Sequence, residues 1–157
     1  MSRFVYGSLM APEVLAALLG RVPARVPATA RGYRRFAIRD RVYPAVVPEP
    51  GASVDGEILS GMTDRELAVL DWFEDEAYVP TALTAETSAG EALEVVAYVF
   101  DDRAHLAGDW SYDEFRRAHL DAYVEMCQAF AEDVRENDLP GPSSEADAEG
   151  VEERESR

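Results

Sequence analysis

Five of the nine prolines fall in one stretch, "RVPARVPATARGYRRFAIRDRVYPAVVPEPGASVDGEILS", residues 21 to 60. Proline lacks an amide hydrogen and clashes with the preceding helical turn, so no helix of useful length fits there. The short β-branched and aromatic runs between Pro, Gly and Asp instead read as several strands, with proline at edges or bends. A chain whose middle must be sheet needs helices elsewhere to cover it. Those helices are legible on both sides.

Before the stretch, "RFVY" is a short apolar strand broken at Gly7, and "APEVLAALLG" is a helix opened by Pro12 and closed by Gly20. After it, Thr63 and Glu66 form a capping box that starts a helix over residues 64 to 74. "ALTAETS" and "ALEVVAYVF" are two strands joined by the turn "SAGE". In "SYDEFRRAHLDAYVEMCQAFAEDV", Phe115, His119, Ala122, Met126 and Phe130 recur at helical spacing and predict one long helix. The expected architecture is α+β, one domain over residues 1–138 with six or seven strands and three helices. Residues 139–157 are an acidic tail too poor in apolar side chains to bury a core and are expected to be disordered.

Composition removes whole function classes. With 31 acidic residues against 15 basic ones the formal charge is −16, which repels phosphate backbones and anionic lipid, so neither nucleic acid nor membrane is expected as a partner. Every basic residue is Arg, which excludes Schiff-base chemistry and a lysine-bearing phosphate loop. The single cysteine, Cys127, excludes an internal disulfide, and no apolar run approaches the roughly 20 residues of a membrane span. A cytoplasmic monomer without cofactor or metal is expected. Cys127 and His119, eight residues apart on one helix, are about 12 Å apart at 1.5 Å per residue and form no dyad within it.

Two places carry candidate chemistry. In "LDWFEDEAY", residues 70–78, Glu74 continues the stripe of Leu67 and Leu70, whereas Asp71, Asp75 and Glu76 are expected to face solvent. Partial desolvation, neighbouring acids and the negative helix end would together raise the Glu74 pKa and make it a general base. The other reading is that Glu74 caps the helix or pairs with an arginine. In "FVYGSLM", the loop Tyr6, Gly7, Ser8, Leu9 between strand and helix is either a plain connector or a cradle of backbone amides for an anion or carbonyl oxygen, with Gly7 admitting a ligand close to the main chain.

These segments, together with "GYRRFAIRDRVYPAVVP", "VVAYVF" and "GDWSYDEFRRAHLDAYVEM" in this order, resemble the γ-glutamylcyclotransferase-like superfamily. Within it they resemble the plant avirulence-induced family, over about residues 3 to 130. The resemblance implies a small β-barrel-like mixed sheet with flanking helices and a small-molecule γ-glutamyl substrate held by Tyr6, Gly7, Ser8 and Leu9. It further implies Glu74 as the catalytic glutamate, Tyr78 as a hydrogen-bonding partner of the substrate, and Tyr43 and Tyr98 as lining residues. The implied reaction is cyclisation to 5-oxoproline with release of an amine. A non-catalytic binding or regulatory module on the same fold is the competing expectation.

Overall fold

A computed structural model describes residues 2–74, 78–100 and 103–137. Asp75, Glu76 and the acidic tail, on which expectations were placed above, lie outside the described residues. Five strands, β1 (Arg3–Val5), β2 (Ala24–Ala37), β3 (Pro44–Ser60), β4 (Tyr78–Thr87) and β5 (Ala92–Phe100), close into a barrel in the order β1-β3-β2-β4-β5. Neighbours are antiparallel except at the seam, where β1 runs parallel to β5 with Arg3 opposite Val96.

The expected several strands of the proline-rich stretch are two long ones, because its prolines bend strands without ending them. β2 and β3 pair from Ala24 opposite Ser60 to Ala37 opposite Pro44, with a shift between Arg31 and Tyr33 where the partner strand advances from Ser53 to Pro48. Gly32 and Gly51, at φ of 85° and 87°, take the left-handed conformation this bulge demands. Pro27 sits one residue before the β2–β4 pairing at Ala28, and its carbonyl accepts from the Ser88 amide at 3.3 Å.

Inside the barrel, Phe4, Ala28, Ala30, Val54, Ile58, Leu83, Ala85, Val95 and Ala97 alternate along their strands with outward residues, so small and large side chains share a narrow interior. Gly56 makes this possible, since a Cβ there would stand 2.2 Å from the Val5 carbonyl and 2.9 Å from the Phe4 ring. A second core forms outside, where Val5 and Leu59 meet the helices α1 (Pro12–Leu19), α2 (Asp64–Phe73), α3 (Tyr112–Ala118) and α4 (Leu120–Asn137).

The long C-terminal helix expected from the sequence breaks at His119, at φ −129° and ψ −10°, into α3 and α4. The break shifts the buried stripe by one position: Phe115 is followed by Leu120, Tyr123, Cys127, Ala131 and Val134, while His119, Ala122 and Met126 are exposed. None of the helices among the described residues is long and apolar enough to cross a membrane.

Candidate active site

A cavity of about 290 Å³ opens where the loop after β1 meets the end of α2 and one face of α4. That volume is near the lower end of the roughly 300–1,000 Å³ usual for small-molecule sites. Each of the sequence-derived candidates Tyr6, Gly7, Ser8, Leu9, Glu74 and Tyr78 lines it, as do Tyr43 and Tyr98.

α2 delivers Glu74. Both halves of the capping box are made, from the Glu66 amide to Thr63 Oγ1 at 3.1 Å and from the Thr63 amide to Glu66 Oε1 at 3.0 Å. The other end is held by Phe73, whose ring packs edge-on against Tyr123 and Phe130 at 6.3 and 5.1 Å. The helix stops one residue earlier than the spacing predicts: Glu74 is its C-cap, with ψ 148° and an amide bonded to the Leu70 carbonyl at 3.2 Å. Glu74 is therefore a cap and a pocket residue at once, standing at the negative end of the helix. Among the described residues that line the cavity it is the single carboxylate, and none of them is a guanidinium.

Four tyrosines surround that carboxylate. Burial first, with the Glu74 charge contributing, pushes the phenols of Tyr6, Tyr78, Tyr98 and Tyr123 above the usual tyrosine range, so all four stay neutral at physiological pH. Their hydroxyls are largely committed to the protein. Tyr6 donates to the Tyr98 carbonyl and Tyr78 to the Pro44 carbonyl, both at 2.5 Å, Tyr98 donates to Asp71, and Ser8 Oγ lies 3.0 Å from the Tyr123 hydroxyl.

Asp71 corrects the expectation of a solvated acid. It accepts from Arg3 Nη2 at 3.3 Å as well as from Tyr98, while Arg3 Nε reaches the Tyr98 hydroxyl at 3.2 Å. The Asp71 side chain is 31% exposed, and Arg3 as a residue only 8%. This triad lies behind the Tyr98 wall of the cavity and fixes the ring that lines it.

The loop turns through one 3₁₀ turn, Ser8–Met10, with the Met10 amide bonded to the Gly7 carbonyl at 2.9 Å. The first amides of a helical turn have no carbonyl one turn back, which leaves those of Ser8 and Leu9 as donors for a ligand. The Tyr6 carbonyl is tied down by Arg35 Nη1 at 2.8 Å. Beside the expected ligand approach, Gly7 has a packing reason. A Cβ there would stand 2.6 Å from both Cδ and Cγ of Pro44, a fully buried ring whose own carbonyl holds Tyr78. Gly7→Ala is therefore expected to lower stability by about 1–2 kcal/mol, the lower part of the usual overpacking cost. Adding Pro44→Ala should recover part of the loss. Thermal melts of the two proteins check this, and a single variant that melts like the parent would show that the ring is not what requires glycine.

Tyr123, Met126 and Phe130 line the cavity from α4 and were not foreseen as site residues. No sequence signal marked them: the helical spacing put Met126 and Phe130 on the stripe read as core, and only the structure shows Met126 exposed at the cavity. Cys127 is fully buried beside them, and burial pushes its thiol up to about 12, which suits packing and not nucleophilic chemistry.

A closed five-stranded barrel with four covering helices and one tyrosine-walled pocket defines a protein of the γ-glutamylcyclotransferase fold. A family model described as gamma-glutamyl cyclotransferase, AIG2-like, matches residues 3–112, and the chain belongs to that family. It is 42% identical over 139 residues to AIG2-like protein D of Arabidopsis thaliana, covering 85% of this chain and 90% of that protein. A solution structure from the same plant superposes with a TM-score of 0.65 at 30% identity, covering 88% of this chain and 93% of that one. A solved gamma-glutamyl cyclotransferase shares the fold at 15% identity with a TM-score of 0.57, over 82% of this chain and 86% of the other.

Proposed function

We propose that this protein is a γ-glutamylcyclotransferase, converting a γ-glutamyl amine or γ-glutamyl amino acid to 5-oxoproline and the free amine, with Glu74 as general acid and base. The observation that carries this reading is the meeting in one cavity of Glu74, the single carboxylate among the described lining residues, with the amide-bearing loop Tyr6–Leu9. Membership of the family supports the reaction class.

The chemistry asks for little more. The substrate's own α-amine attacks its γ-carbonyl carbon, a new C–N bond closes the five-membered ring, and the amide bond to the departing nitrogen breaks. Glu74 takes the proton from the attacking nitrogen and returns it to the leaving one, so no water, metal or covalent enzyme intermediate enters the balance. The Ser8 and Leu9 amides hold the developing oxyanion or the α-carboxylate, a preorganised electrostatic contribution. Tyr78 keeps its proton on Pro44, so it acts on substrate through its oxygen as an acceptor and through the shape of its ring.

The test is incubation of the purified protein with γ-glutamyl dipeptides, glutathione, γ-glutamyl-ε-lysine and γ-glutamyl alkylamides, with chromatographic measurement of 5-oxoproline. Release above the uncatalysed rate is expected with at least one of them. Saturable binding of these compounds with no 5-oxoproline would replace the enzyme by a binding module.

A further inference from the structure

We propose, on the cyclotransferase reading above, that Arg35 is a positioning residue of the site. It grips the Tyr6 carbonyl and so aims the Gly7 amide into the cavity, where that amide donates to substrate beside those of Ser8 and Leu9. The bulge in β2 brings the guanidinium there. Before it, Ala28 and Ala30 face the barrel interior; after it the alternation slips by one, so Tyr33 packs on the interior cluster and Arg35 stands opposite Val46, a buried member of the same cluster. A regular strand would have put Arg34 in this place. Arg34 instead lies on the other face, with Glu49 and Asp109 at 3.5 and 3.2 Å.

Three contacts fix the Arg35 guanidinium. Nη1 donates to the Tyr6 carbonyl at 2.8 Å and approaches the Asp55 carbonyl at 3.5 Å, and Cζ lies 5.3 Å from the centre of the Trp110 ring. Trp110 is itself anchored, because its indole N–H donates to the Val42 carbonyl at 2.8 Å, one residue before the cavity-lining Tyr43. Burial draws the Arg35 pKa below the usual arginine value, yet a guanidinium keeps its charge in a protein. A charged donor on a peptide oxygen polarises the unit and strengthens the N–H at its other end.

No peptide bond among the described residues is cis. In a trans unit the C=O and N–H point in opposite directions. Arg35 stands behind the lining residues, so a Tyr6 carbonyl turned to it turns the Gly7 N–H the other way, to the side on which Gly7 meets the cavity. Without the guanidinium this unit can rotate, since Gly7 has no side chain to restrain its backbone. Arg35 thus acts on substrate only through the Tyr6–Gly7 peptide.

Arg35→Met keeps the apolar stem beside Trp110 and removes the donors. Its kcat/KM for 5-oxoproline release is expected to fall by about 10- to 100-fold, less than the loss of a whole oxyanion donor because the amide is misaimed and not deleted. Arg35→Lys retains a charged donor and should recover most of that loss, whereas Arg34→Met, on the opposite face of the strand, should leave kcat/KM unchanged. A second measurement needs no turnover. In the Glu74→Gln protein, γ-glutamyl-methylamide, which is little more than the glutamyl head, is titrated while the loop amides are followed by nitrogen–proton NMR. The Gly7 amide proton is expected to move downfield on binding, and to move much less once Arg35→Met is added. Unchanged kcat/KM in folded Arg35→Met, a Gly7 amide that stays still while those of Ser8 and Leu9 respond, or equal Gly7 shifts with and without Arg35 would overturn the inference. Should Arg35→Met fail to fold, the Gly7 response in the Glu74→Gln protein decides alone. The expected Gly7 shifts without any 5-oxoproline from the parent would refute the reaction and uphold the positioning, and loop amides that all ignore the probe would overturn both.

Discussion

Glu74→Gln protein is expected to release 5-oxoproline about 10²- to 10⁴-fold more slowly than the parent, the usual contribution of one positioned acid or base. In barrier terms this is roughly 3–5 kcal/mol, more than any reshaping of the pocket by a change of one atom would give. Glutamine keeps the size of the side chain and its capping position at the end of α2, but it cannot accept the proton of the attacking amine. Substrate binding should therefore persist while kcat falls, and the melting temperature should stay close to that of the parent. The sequence neighbour Asp75, changed to Asn, should do far less. Full activity in Glu74→Gln, or equal losses in the two variants, would reduce Glu74 to a helix cap.

The largest stability effect is expected from Asp71→Ala. Removing this carboxylate strips a partner from Arg3, a charge on a residue that is 8% exposed, and frees the Tyr98 hydroxyl. Breaking a fully buried pair costs about 3–5 kcal/mol, and because the Asp71 side chain is 31% exposed, water reduces this to roughly 2–4 kcal/mol. Adding Arg3→Leu should recover part of the loss by removing the charge that Asp71 balanced, a coupling that a double-mutant cycle in denaturant measures. A single variant as stable as the parent, or losses that simply add, would show that the triad is not coupled.

The sequence announced the Thr63 box, the Pro12 and Gly20 helix ends and the β4–β5 turn because each is a local event, settled by a few neighbouring residues. It misjudged what depends on distant partners. The prolines of β2 and β3 end strands in isolation but are tolerated at a bulge and beyond the end of β4. His119 carries no helix-breaking chemistry, so the break there, and the one-residue shift of the buried stripe, could not be read from spacing. Helical periodicity singled out Glu74, although its backbone is already extended. The same reasoning turned Asp71 to solvent, because nothing near it in sequence reveals Arg3 or Tyr98 waiting on the barrel wall.

The parallel seam has a further consequence. β1, only three residues long, lies between β3 and β5, and its neighbours Leu59 and Val96 are far along the chain. The loop Tyr6–Leu9 follows directly from it. The pocket thus takes shape only as the cylinder zips shut, a step dominated by remote pairing and therefore slow among the events of folding. By mass action, a molecule resting on that loop favours the zipped form over every open one, so occupancy of the site and integrity of the cylinder are one equilibrium seen from two ends.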